Sequence, residues 1–145
     1  MTRKSADRPH KDLHYFNLGP WPFYVGFTTS EAAFAAEMKR LKIGQEVAYL
    51  GRERANATTH FFNGTDMVCA IIAAPAFNAR KHSREQYAAL IAHETAHVVQ
   101  EMRSELNNGE HLGNEAEAYL AQQIVQECLQ IAWNSGKRRS TEPRV

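Results

Sequence analysis

Five consecutive residues are the best equipped for chemistry: His93, Glu94, Thr95, Ala96 and His97. On a helix, positions four apart lie one turn above each other on the same face. Two imidazoles so placed can share one zinc ion at about 2.0–2.1 Å each. Glu94 follows the first histidine and stands beside the metal without having to bind it. From there it can take a proton from a zinc-bound water, whose pKa the ion lowers to about 7. The spacing therefore maps onto roles: His93 and His97 as metal ligands, Glu94 as general base, with one Zn2+ per chain.

The motif needs a helix, and its surroundings predict one. Ser83 with Gln86 three residues on has the spacing of a capping box, and the helix is expected to run to about Met102. Along it Ala88, Ile91, Ala92, Val98, Val99 and Met102 form one apolar stripe with Thr95 in its middle. His93 and His97 fall on the opposite side and Glu94 toward one flank, so the helix has a face for the core and another for a site.

A catalytic zinc site takes three protein ligands and leaves the fourth position to water. Downstream candidates are Glu110, His111, Glu115 and Glu117. A further helix is expected over about Glu115 to Trp133, with an apolar seam through Leu120, Ala121, Ile124, Cys128 and Ile131. Carried back by three and four residues, that seam reaches Glu117, whereas Glu115 stacks below Tyr119 and Gln122 on the wetter side. An inward carboxylate needs a partner, because burying it alone is costly. Glu117 is thus the favoured third ligand, then Glu115, then His111. A competing role for Glu117 is a capping box with Asn114.

The remaining chain supplies a scaffold. Residues Met1 to Leu13 are polar, and from Tyr15 an aromatic segment broken by Pro20 and Pro22 leads into an expected edge strand, Phe23 to Phe27. Ser30 reads as the N-cap of a first helix, about Glu31 to Lys42, stopped by Gly44. Val47 to Leu50 is a short strand candidate. Ala57 to Phe62 and Met67 to Ala73 are strand-like runs joined by Asn63-Gly64-Thr65-Asp66, a hairpin turn signal. Met67 to Ala73 is apolar on both faces and belongs inside the sheet. The sum is an α+β fold: a small, three- to four-stranded, mostly antiparallel sheet against three helices. The division is a tail over 1–14, one domain over 15–134 and a basic tail over 135–145.

Composition limits the alternatives. The 145 residues suit one domain with one core. Seventeen basic against sixteen acidic residues leave no overall field that would demand nucleic acid or an anionic membrane. The basic residues gather at the ends, at Arg3, Lys4, Arg8 and Lys11 and at Lys137, Arg138, Arg139 and Arg144, and read as solvated tails. No apolar run suits a membrane span or a secretory signal. Cys69 and Cys128 lie far apart in apolar stretches and read as reduced thiols of a cytoplasmic protein.

His93 to Gln100, together with Glu115-Ala116-Glu117-Ala118-Tyr119, resembles the gluzincins, zinc peptidases with H-E-x-x-H on one helix and a glutamate ligand on the next. The short chain is most similar to the small metallopeptidases encoded in bacteriophages and prophages. It has a looser likeness to the peptidases that cleave phage-type repressors. The resemblance implies a zincin-like fold, a peptide or protein substrate held along an edge strand, and Glu117 as the ligand that precedes Ala118. It departs from the larger members at Ala121, where they carry an acidic residue that orients a ligand histidine. Tyr119, His111, Tyr87 and His60 are candidate donors to the developing oxyanion. His10, His14 and His82 are taken as surface residues. The function so implied is zinc-dependent peptide-bond hydrolysis. The alternative is a regulatory or binding module that keeps a metalloprotease-like zinc site without catalysis.

Overall fold

The computed structural model describes residues 8–19, 23–51, 56–62, 68–105 and 113–140. Among these the elements run β1 (Leu13–Phe16), β2 (Phe23–Thr28), α1 (Glu31–Arg40), β3 (Thr58–Phe61), β4 (Val68–Ala73), α2 (Arg84–Glu105) and α3 (Asn114–Ser140). The four strands form one mixed sheet in the order β1-β2-β4-β3. The β1–β2 and β3–β4 pairs are antiparallel and the central β2–β4 pair is parallel. This is the expected α+β arrangement. The Asn63–Asp66 turn signal, Arg3, Lys4 and Arg144 lie outside the described residues.

The alternation of each strand sorts its side chains into two layers. Phe16, Phe23, Val25, Phe27, Ala70 and Ile72 face α2 and α3 and join Tyr87, Ile91, Val98, Met102, Leu120, Ile124 and Cys128 in the larger core. Leu13 and Ile71 face the other way, toward Phe34 and Met38 of α1. Phe27 and Ile91 are completely buried, and each such burial contributes about 1.5–3 kcal/mol before the entropy of ordering is subtracted. Helices α2 and α3 run antiparallel. Arg103 near the end of α2 meets Glu117 at the start of α3, while Arg84 at the start of α2 lies over the Trp133 ring. Phe77, Tyr87 and Trp133 stack edge-on at that second end.

The helix ends follow local chemistry. Ser30 caps α1 through its side chain, which accepts from the Ala33 N–H at 3.1 Å. The Ser83–Gln86 capping box is reciprocal: the Ser83 N–H donates to Gln86 Oε1 at 2.8 Å, and the Gln86 N–H to Ser83 Oγ at 3.1 Å. Helix α1, however, stops before Gly44. Lys42 takes a left-handed φ of 56°, the Ile43 N–H reaches the Met38 carbonyl and the Lys42 N–H the Lys39 carbonyl. That pair of bonds is a Schellman motif, and Ile43 against Met38 supplies its hydrophobic contact. Gly113, at φ 78°, precedes α3 and accepts from the Glu117 N–H. Asn114 therefore opens the helix instead of standing before it.

Three expectations about strands are corrected. β2 is interior, because β1 pairs along its outer side; β1 is too short and half polar to stand out in the sequence. The sheet accordingly begins at Leu13, which is buried. Gly26 makes room for this pairing: a Cβ there would meet the Tyr15 ring at 3.0–3.1 Å. Residues Val47 to Leu50 form no strand. Tyr49 instead lies over the α1 side of the sheet, and its hydroxyl donates to the Ala74 carbonyl and lies 3.1 Å from that of Thr28, tying the ends of β2 and β4 together. Helix α3 also continues to Ser140, beyond the expected end at Trp133.

Candidate metal centre

Helix α2 lies across the sheet with Tyr87, Ile91, Thr95, Val98 and Met102 pointing into the core. At 100° per residue, His93 and His97 fall on its outer side, and both are exposed. Their Nε2 atoms stand 3.1 Å apart, with the rings nearly perpendicular. Two ligands at about 2.0–2.1 Å from a tetrahedral centre stand about 3.3 Å apart. The imidazole pair therefore fits a shared zinc ion.

Glu94 lies lower on the same helix, toward β3, and is 5% exposed. One of its oxygens, Oε2, accepts from Thr59 Oγ1 at 2.5 Å. Among the described residues it has no ion-pair partner. Glu94, His93 and His97 line a cleft of about 480 Å³ whose other wall is Ala57, Thr58, Thr59 and Phe61 of the β3 segment. A second hollow of about 520 Å³ continues past Ala57, His93 and Glu94 to His82, Gln86 and Leu90. Strand β3 is an outer strand of the sheet. The Phe62 N–H donates to the Cys69 carbonyl at 2.7 Å, so alternate residues Thr58 and His60 turn their backbone groups toward β4. Thr59 and Phe61 turn theirs to the outer edge, which no described strand pairs.

No third donor among the described residues is brought to the histidines. Among the described residues, no three His, Cys, Asp or Glu side chains gather as a metal-holding group. Glu117 does face α2, as its seam position implies, and its side chain is 18% exposed. Its Oε1 accepts from Arg103 Nε at 2.7 Å, six residues beyond His97. Glu115 is exposed, and Glu110 and His111 lie outside the described residues.

The oxyanion candidates separate. Tyr87 is completely buried, with its hydroxyl donating to the Pro75 carbonyl at 2.8 Å, so it belongs to the core. His60 lies on the α1 side of the sheet, packed on Phe34 and bonded through Nε2 to the Tyr49 carbonyl oxygen. Tyr119 is 67% exposed on α3. His82, taken as a surface residue, is partly exposed and borders the second hollow with His93 and Glu94. Thr59 carried no sequence signal at all, because only the sheet packing brings its hydroxyl to Glu94. Cys69 is half-buried and Cys128 buried, both free, and burial pushes both thiols up in pKa. No helix among the described residues is long and apolar enough to cross a membrane. Comparison with family models, curated proteins and solved structures gives no match, so the site stands on its own geometry.

Proposed function

We propose that this protein is a zinc-dependent metallohydrolase that cleaves peptide bonds, a minimal gluzincin of the phage-related kind, with His93, His97 and Glu117 holding the metal. The observation that carries this reading is the convergence of the two Nε2 atoms at 3.1 Å beside a buried carboxylate in an open cleft. Bound there, zinc would supply Lewis-acid polarisation of the scissile carbonyl and acidify the attacking water. Glu94 takes the proton of that water as the new C–O bond forms, then passes it to the departing amine as the C–N bond breaks. The open edge at Thr59 and Phe61 would receive the substrate as an added strand, one side chain on either side of the cleft. Among the described residues, Glu94 is the one acidic group lining that cleft, which suits a substrate with uncharged side chains near the cleaved bond. The free thiols support a cytoplasmic setting.

One observation favours the second reading, a binding module without catalysis. Glu117 is engaged by Arg103, and the same open strand edge could hold a partner peptide without cutting it. Metal analysis tests the zinc site that both readings share, and cleavage separates them. The purified protein, with no zinc added, is expected to hold about one zinc per chain, kept in Glu115→Ala and lost in Glu117→Ala. A peptide-library digest by the loaded protein then reads cleavage. Absence of zinc after purification and after zinc addition would sink the hydrolase reading.

A further inference from the structure

We propose that Thr59 is the positioning residue for Glu94, tying the orientation of the base to the strand edge that receives the substrate; this rests on the hydrolase reading. The hydroxyl of Thr59 has one proton, and two acceptors lie near it: Glu94 Oε2 at 2.5 Å and the Glu94 carbonyl at 3.4 Å. The shorter contact takes the proton, since a charged acceptor draws a donor closer and binds it more strongly. Oε2 is thereby held against β3. Oε1, which has no hydrogen-bond partner among the described residues, is the oxygen left to collect a proton.

Burial makes this single bond consequential. Glu94 is 5% exposed, and among the described residues no cation offsets its charge. A carboxylate in that position is anchored by the neutral donor it has, and without it the side chain has several rotamers to explore. A base displaced by about 1 Å loses much of its effect. The ladder parity adds the second half of the argument. Thr59 turns its N–H and C=O outward to the open edge while its side chain turns inward to Glu94. A strand bonded to Thr59 and the base bonded to Thr59 are then placed by the same residue.

The test compares zinc-loaded wild type with Thr59→Val, which removes the hydroxyl at nearly constant shape, and Thr59→Ser, which restores it. Thr59→Val is expected to lower kcat by about 10–100-fold with KM within about twofold and zinc affinity unchanged. Thr59→Ser should recover most of the loss. Wild-type kcat in Thr59→Val, or an equal loss in Thr59→Ser, overturns the positioning role and leaves the hydrolase reading intact. A thermal cycle runs beside it without any assay of activity: Thr59→Val should lower Tm in the wild type and change it little in Glu94→Ala. Additive shifts would show that the hydrogen bond contributes nothing and overturn the proposal. A loaded wild type that cleaves no peptide overturns both readings together.

Discussion

Among the described residues two glutamates are buried, on opposite sides of the sheet, and they are handled in opposite ways. Glu37, on α1, is completely buried and forms an ion pair with Arg40 one turn later. Burial, together with neighbouring Cys69 and Glu37, pushes the Tyr15 hydroxyl up in pKa, so it stays protonated beside that carboxylate. The charge is answered within its own layer, and nothing about it faces a cleft. Glu94, on α2, is held by a neutral hydroxyl and opens onto a cleft beside two imidazoles. A buried carboxylate with its cation belongs to the architecture; one without a cation, beside two imidazoles, is the group the proposed hydrolysis would use.

The comparison breaks most visibly at Glu94. Glu94→Gln keeps an oxygen for the Thr59 hydroxyl, so zinc content and Tm should stay near wild type while peptide hydrolysis falls by about 10²–10⁴-fold. Equal activity in the variant would remove Glu94 from the reaction. Arg40→Ala should do the reverse. It leaves Glu37 buried and unpaired, which costs about 3 kcal/mol and lowers Tm by about 6–12 °C. Zinc content and kcat should not change, and a melting curve beside a metal assay checks both. A Tm loss in Glu94→Gln as large as in Arg40→Ala would erase the distinction between the two sites.

The smallest effect concerns the end of α1, where the layer around Glu37 stops. Lys42 holds a left-handed φ that L-residues adopt at a cost. Lys42→Gly is expected to stabilise by about 0.5–1 kcal/mol, visible as a Tm rise of about 1–4 °C. A fall in Tm would mean that the Lys42 side chain contributes more than its backbone costs.

Much of the scaffold was legible because its signals are local. Ser30, Ser83 and Gln86 act on N–H groups three residues away, and the structure puts each where the spacing requires. The apolar stripe of α2 and the core run of β4 were legible through periodicity, although Tyr87 proved to be core and Ala92 exposed. The pairing of His93 with His97 is likewise a property of one helix, since a spacing of four sets their rings together before anything else folds.

What lay beyond the sequence depends on contacts between distant segments. β1 is four residues long and gains its place only by pairing with β2, which moved β2 from the edge to the interior. That β3 and β1 are the outer strands follows from the whole strand order. Thr59 meets Glu94 across 35 positions of chain, and Arg103 meets Glu117 across 14. No periodicity encodes such meetings, because they are set by how helices and sheet stack. The sequence by itself determined a helix bearing two imidazoles and a carboxylate on separate faces. Only the tertiary structure decided what holds the carboxylate, which edge borders it, and that Glu117 rests against Arg103, because each of these is a contact between elements and not a pattern within one.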